Sequence, residues 1–330
     1  MSRRLPSNPP VLPGFTFVRA LVSGGFADVF LYEQNLPRRQ VAVKVLLPEV
    51  VNPRVRNMFQ AEAQLMAQLS THPAILTVFE ASVSADGRPY LVTEMCPAGL
   101  GERFRAERMP VSEVLRTGIR IAGALETAHR SHVLHRDIKP GNILLTAYGH
   151  PVLSDFGIAA SIAQGNSGSA VGLSVPWSAP EVLREETTGT IASEVFSLGA
   201  TVYSLGAGRS PFEIVGKDNT PGHLAGRILR GKIVPMGRDD VPSSLQTLLA
   251  KSMSRHPEDR PHSAMEFARQ LQVIESELGL AQTAIDVVGD GWGGTPLSTS
   301  DEQTSLTATL AVEAPWWRRK NARRDRMRLS

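Results

Sequence analysis

The chain has 330 residues, of which 42% are hydrophobic and 20% are charged. This composition is typical of a globular protein with a buried core, and it excludes a wholly disordered, collagen-like or disulfide-scaffold chain. The formal net charge is +3, but residues 318–330 hold seven basic residues and one acidic residue. Residues 1–317 hold 28 basic and 31 acidic residues, so the positive charge belongs to the C-terminal tail.

The single cysteine, Cys96, cannot form an internal disulfide, which favours a reducing cytoplasm. Residues 1–15 lack the apolar segment of a secretory signal. No apolar run approaches the ~18–20 residues that cross a bilayer. The sequence therefore predicts a cytoplasmic protein without a transmembrane segment.

The first third of the chain reads mainly as strands. Residues 1–14 are rich in proline and predict an extended lead-in. Apolar clusters separated by turn residues predict antiparallel strands over 15–48. A helix is predicted from Asn52 to Ser70 by apolar residues at a period near 3.6. Two more strands follow, joined by an Asp86–Gly87 turn.

After Cys96 the pattern becomes mainly helical. The predicted helices cover 111–131, 193–207, 221–231, 242–254 and 262–277. From about residue 280 the chain is rich in Gly, Ser and Thr, which is typical of a disordered linker. A small strand-rich part followed by a larger helical part predicts an α+β fold with two lobes.

Two features of the strand-rich part point weakly to phosphate chemistry. Glu62 lies on the apolar stripe of its predicted helix, where a carboxylate needs a partner, and Lys44 in the strand VAVK is a candidate. The alternative is an ordinary surface ion pair. The segment SGGFADV (23–29) contains glycines that let backbone N–H groups approach phosphate oxygens, although many hairpins carry such a pair.

A third cluster is far more specific. It consists of HRDIKPGNILL (135–145), SDFG (154–157) and SAPE (178–181). Asn142 and Asp155 are hard oxygen ligands that suit a Mg²⁺ ion carrying substrate phosphates. Asp137 can accept the proton of an attacking hydroxyl, and Lys139 adds positive charge for a transferring phosphate.

This order of motifs resembles the protein kinase superfamily, specifically the bacterial eukaryotic-like (Hanks-type) serine/threonine kinases. The resemblance covers 15–277 and implies a small antiparallel-sheet N-lobe with one long helix (about 15–95) and a larger helical C-lobe (about 97–277). Residues 278–330 would then be a linker and basic tail. The implied activity is transfer of the γ-phosphoryl group of ATP to Ser/Thr hydroxyls of proteins, with Mg²⁺ or Mn²⁺ as metal and with autophosphorylation.

The resemblance also implies roles for individual residues. Asp137 would be the catalytic base, Lys139 would mark serine/threonine specificity, and Glu62 would fix Lys44 on the phosphates. Asn142 and Asp155 would bind the metal, and Glu181 and Arg260 would form a structural ion pair. The implied ATP contacts are Val22, Gly24, Gly25, Val29, Ala42, Lys44, Thr93, Glu94 and Cys96.

Two residues depart from the family pattern. Val22 stands where the first loop glycine is usual, and it would stiffen the loop and weaken ATP binding. Glu194 stands where an aspartate normally holds the backbone of the catalytic loop, and its extra methylene would reduce rigidity there. Neither removes a catalytic group, so an active enzyme is expected. The alternatives are a kinase-fold module that binds nucleotide or partners without turnover, and a small-molecule phosphotransferase.

Regulation is predicted at three places. Arg136 would pair with a phosphate on the activation segment, where Ser167 and Ser169 are candidates and Ser174 takes the usual threonine position. Threonines in the linker would be autophosphorylation sites for phosphothreonine-binding partners. Residues 316–330, with two tryptophans and a basic run, would contact an anionic membrane, and no sequence-specific nucleic-acid binding is expected. Homodimers that form through the small lobe are known in this family, so the resemblance adds a homodimer to the candidate assemblies.

Overall fold

The structure, a computed structural model, describes residues 4–156 and 174–288. The small lobe is a five-stranded antiparallel sheet in the order β1-β2-β3-β5-β4, with one helix between β3 and β4. Its elements are β1 (Phe15–Ser23), β2 (Ala27–Asn35), β3 (Arg38–Leu46), α1 (Pro53–Leu69), β4 (Val78–Val83) and β5 (Pro89–Glu94).

Alternation along the strands gives this sheet two different faces. Val41, Val43 and Val45 of β3 are completely buried on the outer face, because successive strand residues point to opposite sides. They pack with Phe30 and Tyr32 of β2 in a small core. The residues between them point to the other face, from which Lys44 reaches Asp155 of the large lobe.

The lead-in segment packs across the outer face of the sheet. Leu12 is 2% exposed within the small core. The Tyr32 hydroxyl donates to the Pro10 carbonyl at 2.6 Å, and the Ser7 amide donates to Asp28 Oδ2 at 2.7 Å. Arg4 forms an ion pair with the same carboxylate, which is fully buried. The extended lead-in predicted over 1–14 is thus held against the lobe over its described part.

Asp28 makes the stability of this contact dependent on pH. Burial acts to raise the pKa of Asp28, but the hydrogen bonds from Ser7 and the charge of Arg4 hold it below the usual 3.8. Asp28→Asn is expected to lower the free energy of unfolding at pH 7 by about 1–3 kcal/mol. The loss should shrink as the pH falls below 3.8. A carboxyl with a lowered pKa stabilises the fold fully above its unfolded pKa, and this contribution disappears as the pH falls through the folded pKa.

Urea unfolding at pH 7 and pH 3 checks this expectation. The exposed Asp239→Asn is the matched control, and it should cost less than about 0.5 kcal/mol at both values. A difference between wild type and Asp28→Asn that stays constant over this range would contradict the role given to the Asp28 charge.

Helix α1 begins and packs as its sequence predicts. The Asn52 side chain accepts a hydrogen bond from the Val55 amide at 2.9 Å, and Pro53 occupies the first turn. Both are favoured at helix N-termini. The buried face of α1 consists of Val55, Phe59, Ala63, Met66 and Leu69.

The large lobe is built around helices with a small sheet at the cleft. Its elements are β6 (Ala98–Gly99), α2 (Leu100–Ala106), α3 (Val111–Arg130), β7 (Ile143–Leu145), β8 (Pro151–Leu153), α4 (Pro180–Leu183), α5 (Ile191–Ala207), α6 (Pro221–Arg230), α7 (Ser243–Ser252) and α8 (Ala264–Glu277). Helix α5 is buried along nearly all of its length, as expected for a helix that is apolar on every side. The predicted two-lobed α+β fold is confirmed.

Two features of this lobe extend the sequence prediction. Residues 279–288, which the sequence assigns to the linker, pack on the lobe, with Leu280 and Ile285 against its hydrophobic core. Arg260 and Glu181 form the predicted ion pair in the interior, with Nη1–Oε1 and Nη2–Oε2 distances of 2.6 and 2.9 Å.

No helix in the described part of the chain is long and apolar enough to span a membrane.

Candidate active site

Strand register places most of the predicted ATP-contacting side chains on one face. Val29 of β2 pairs with Lys44 of β3, and Ala42 pairs with Thr93 of β5. Cross-strand partners share a face of the sheet, and this is the face opposite the small core. The four side chains therefore line the roof of the cleft.

The glycine segment forms the turn between β1 and β2. The Gly24 amide donates to the Ala27 carbonyl at 2.9 Å. A Cβ on Gly24 would lie 3.0 Å from that oxygen, whereas one on Gly25 would meet no atom within 4 Å. Val22 pairs with Val29 at the end of β1 and is 61% exposed. It thus lies beside the turn on the cleft face, and its predicted effect on ATP binding stays a prediction.

The segment between the lobes is held by backbone contacts. The Glu94 carboxylate accepts from the Thr77 amide at 3.0 Å, and the Glu94 amide donates to the Thr77 carbonyl at 3.0 Å. The half-buried Cys96 follows, and burial, reinforced by the Glu94 charge, raises the pKa of its thiol to about 12. The thiol of Cys96 is therefore protonated at physiological pH and is not an activated nucleophile.

Asp155 and Lys44 meet across the cleft in an ion pair. Burial acts to raise the pKa of Asp155, but the Lys44 ammonium more than offsets it and holds the pKa below the usual value. Asp155 has a φ of +62°, a left-handed conformation that aspartate adopts more readily than most residues. Such a backbone persists only where its surroundings fix it, which is common at functional sites.

Asp137 lies at the centre of a compact polar group in the floor of the cleft. Lys139 Nζ donates to Asp137 Oδ2 at 2.6 Å and to Ser174 Oγ at 2.8 Å. Asn142 Nδ2 donates to the Asp137 carbonyl at 2.7 Å and to Oδ2 at 3.0 Å. Because Nδ2 makes both bonds, the amide oxygen is what Asn142 can offer to a cation. This oxygen and the Asp155 carboxylate are both hard donors, the type of ligand that a divalent cation such as Mg²⁺ prefers.

His135 supports this floor, although no role was predicted for it from the sequence. It is fully buried, and burial lowers the pKa of its imidazole. Its Nδ1 accepts from the Asp137 amide at 3.2 Å, while Nε2 lies 2.8 Å from the Ser154 carbonyl. The imidazole therefore ties the segment carrying Asp137 to the segment carrying Asp155. In the sequence, this histidine follows an apolar run and precedes Asp137 by two residues. That position could have indicated a buried residue that supports Asp137.

Glu194 satisfies the contact that an aspartate would make and adds another. Its Oε1 accepts from the Arg136 amide at 2.5 Å, and its Oε2 lies 2.6 Å from His129 Nε2. The side chain is 3% exposed. The extra methylene thus allows one carboxylate to join α3 to the catalytic-loop backbone, and the loss of rigidity expected from the sequence is offset by this second partner.

Substitution of Glu194 tests this bridge. Glu194→Ala leaves the buried His129 imidazole and the part-buried Arg136 amide without their acceptor. It is expected to lower the free energy of unfolding by about 1–3 kcal/mol. Phosphoryl transfer should slow by up to about tenfold, because the backbone beside Asp137 loses its support. Glu194→Asp should give an intermediate effect, since the shorter side chain cannot span both contacts. Urea unfolding and initial rates measure both quantities, and a fully wild-type Glu194→Asp would contradict the bridge.

Several predicted site residues are not placed by the structure. Glu62 lies in α1, but its side chain is outside the described part, so the Lys44–Glu62 pair stays a prediction. Ser167 and Ser169 fall between the two described ranges, and residues 316–330 fall beyond them. The exposed Arg136 lies next to Asp137, and its pairing with a phosphate also stays a prediction.

Comparison with known proteins decides the family. The sequence model of the protein kinase domain matches residues 15–271. The chain belongs to the protein kinase family. Residues 15–271 thus form a serine/threonine protein kinase domain of the bacterial Hanks type, as the motifs predicted. Members of this family use ATP together with a divalent metal ion.

Named relatives agree with this assignment. The domain is 36% identical over 271 residues to the serine/threonine-protein kinase PknK of Mycobacterium bovis, covering 81% of this chain and 24% of that protein. It is 31% identical over 264 residues to PknB of Mycobacterium leprae, covering 77% and 42%. It is 30% identical over 251 residues to Nek4 of Mus musculus, covering 75% and 31%. The chain therefore spans about a quarter of the length of that PknK.

Proposed function

We propose that this chain is an active protein kinase that transfers the γ-phosphoryl group of Mg-ATP to serine and threonine hydroxyls of protein substrates. The observation that carries the proposal is the arrangement of Asp137, held on two sides by Lys139 and Asn142, opposite the Lys44–Asp155 pair. These are the groups that phosphoryl transfer needs, because the reaction depends on positioning and charge more than on covalent chemistry by the protein.

Each group has a definite part in the proposed reaction. Asp137 accepts the proton of the substrate hydroxyl and is the catalytic base. Lys139 fixes the Asp137 carboxylate and lies where it can also contact the transferring phosphate. Lys44 holds the α- and β-phosphates, and Glu62 orients Lys44. Mg²⁺, which Asn142 and Asp155 would hold, supplies neutralising charge for the phosphates.

The substrate side of the site supports a protein as the phosphate acceptor. Ser174 lies within hydrogen-bond distance of Lys139, so the segment that precedes SAPE reaches the catalytic floor. In the resembled family the SAPE segment and the helices after it shape the site for a protein substrate. We extend the proposal to the boundaries 15–277 for the domain, with lobes over 15–95 and 97–277. We also place the chain in the reducing cytoplasm.

Analysis of the products tests this proposal. The purified chain is incubated with Mg²⁺ and ATP labelled at either the γ- or the α-phosphate, together with a generic protein substrate. Label from γ-labelled ATP alone, recovered as phosphoserine and phosphothreonine and abolished by a chelator, is expected. Parallel reactions with Mn²⁺ compare the two metals. Nucleotide binding without any transfer would instead support the kinase-fold binding module.

A further inference from the structure

The segment that follows α8 is anchored by a buried carboxylate. Thr283 donates to Glu275 from its amide at 2.7 Å and from its hydroxyl at 2.6 Å. The Gln272 side chain donates to the Thr283 carbonyl at 2.7 Å. Glu275 is only 2% exposed, so its carboxylate is shielded from solvent and binds this segment. Residues 280–288 are called the C-terminal strap below.

The far end of the strap sits on a glycine of α3. A Cβ on Gly123 would lie 2.5 Å from the Asp286 carbonyl oxygen, a distance at which one of the two must move. Two residues later the Val288 amide donates to the buried Thr127 hydroxyl at 3.3 Å. This close approach requires glycine at 123, in the interior of a helix where glycine is otherwise unfavourable.

The Asp286 carbonyl also meets His72, in the loop between α1 and β4. His72 Nε2 lies 2.8 Å from that oxygen, and its Nδ1 accepts from the Ala74 amide at 3.0 Å. The acceptor role of Nδ1 places the proton on Nε2, which therefore donates to Asp286. His72 is 2% exposed, and burial lowers the pKa of its imidazole, which favours this neutral form.

From His72 the contacts continue to the catalytic cleft. The Leu153 amide donates to the Ala74 carbonyl at 2.9 Å, and the Leu76 amide donates to the Leu153 carbonyl at 3.0 Å. Leu153 ends β8, two residues before Asp155. An uninterrupted series of hydrogen bonds thus runs from the strap, through His72 and residues 74–76, to the strand that presents Asp155.

We propose that His72 and the C-terminal strap are positioning elements for phosphoryl transfer, in which the Asp286 carbonyl holds His72, and His72 holds the loop that aligns β8 and Asp155. The proposal rests on the function proposed above. It extends the catalytic unit beyond α8, to a strap that leads directly into the tail of the chain. Events on that tail would then reach the metal-binding carboxylate without any contact with the cleft.

Gly123→Ala tests the seat of the strap in the full chain. The added methyl should displace Asp286, so that amide hydrogen exchange becomes at least about tenfold faster over 280–288 and also over 72–76. The Mg²⁺ concentration needed for half-maximal transfer should rise about three- to tenfold, at the weak end of outer-shell effects on metal sites. Gly226→Ala in α6 is the matched control, because a Cβ there meets only a flexible arginine at 3.7 Å.

Two substitutions of His72 separate the strap from the local loop. Asparagine can reproduce the Nδ1 contact with Ala74 but cannot reach Asp286, so His72→Asn should match Gly123→Ala in its Mg²⁺ requirement. Glutamine can reproduce the Nε2 contact and should retain more of the wild-type affinity. The two effects should not add in the His72→Asn/Gly123→Ala double variant, because both break one connection.

Hydrogen exchange and the Mg²⁺ requirement together decide whether the strap positions the loop at 72–76. Faster exchange in the strap with unchanged exchange over 72–76 and an unchanged Mg²⁺ requirement would overturn the proposal, as would additive effects. If Gly123→Ala fails to fold, His72→Asn gives the same test. If the wild-type chain transfers no phosphate, the function proposed above fails, whereas coupled exchange over 280–288 and 72–76 would still report whether the strap holds the loop.

Discussion

Asp137→Asn is expected to lower kcat for phosphoryl transfer by about 10²–10⁴-fold, the range that a general base contributes. The amide cannot accept the hydroxyl proton, yet it has nearly the shape of the carboxylate. Its oxygen can still accept from Asn142 Nδ2, which donates to Asp137 Oδ2 at 3.0 Å in the wild type. The variant should therefore fold normally and bind nucleotide within about threefold of wild type, because the loss concerns the transition state.

Initial rates with a peptide substrate and nucleotide titrations measure the two effects separately. Asp239→Asn is the matched control, since Asp239 is an exposed aspartate outside the predicted site. The assignment of Asp137 as base would be contradicted by a kcat within tenfold of wild type, once Asp137→Asn has been shown to be folded and saturated with nucleotide.

The largest expected effect on stability comes from Arg260. Its side chain is fully buried, binds Glu181 through two parallel bonds of 2.6 and 2.9 Å, and donates to the Ser254 and Ala192 carbonyls. Arg260→Ala leaves the Glu181 carboxylate buried without its partner. Breaking such a pair costs about 3–5 kcal/mol, because the remaining charge cannot be solvated. Arg260→Lys should recover only part of this, since an ammonium cannot reproduce the planar two-point contact.

Urea unfolding of the full chain measures the loss. Arg269→Ala, which removes an exposed arginine from the same lobe, should change the free energy of unfolding by less than about 0.5 kcal/mol. Replacing both partners, as in Glu181→Leu/Arg260→Met, should be less harmful than Arg260→Ala alone, because no buried charge remains. A double variant no more stable than the single one would show that packing, rather than the uncompensated charge, dominates.

Local chemistry made much of the fold predictable from sequence. The alternating valines Val41, Val43 and Val45 identify β3 and its buried face, and Asn52 with Pro53 marks the start of α1. Gly87 adopts a φ of +83° in the predicted turn between β4 and β5. These features are encoded within a few residues, so a pattern along the chain is enough to find them.

The ion pairs between distant residues could not be predicted from local sequence patterns. Lys44 and Asp155 are 111 residues apart, and Arg260 and Glu181 are 79 apart. Neither spacing carries a physical signal of contact. The family resemblance paired Arg260 with Glu181, but for Lys44 it implied Glu62 as the partner, so the Lys44–Asp155 pair was not predicted. The pairing is a consequence of the topology, which brings β3 over the end of β8 and α4 against the segment before α8.

Contacts made by residues with no motif could not be predicted. His72 and Asp286 are 214 residues apart, and the bond uses a backbone carbonyl that any residue could supply. The strap has linker-like composition, yet it is fixed by Glu275 and by the space above Gly123. Likewise, the sequence alone suggests that Glu194 is a poor substitute for the usual aspartate. Its second partner, His129, is evident only in the structure. Such contacts follow from packing between distant segments rather than from local propensity.

Asp155 allows catalysis by this chain to be separated from nucleotide binding. Binding of ATP and transfer of its γ-phosphate to a protein substrate are quantified in the same samples of the full chain, with Mg²⁺ present. Asp155→Asn is the blank, because it removes the carboxylate that pairs with Lys44 and would hold the metal. We expect wild-type protein to bind nucleotide and to transfer label at a rate at least about 100-fold above this variant. Full nucleotide occupancy with transfer no faster than in Asp155→Asn would contradict the account.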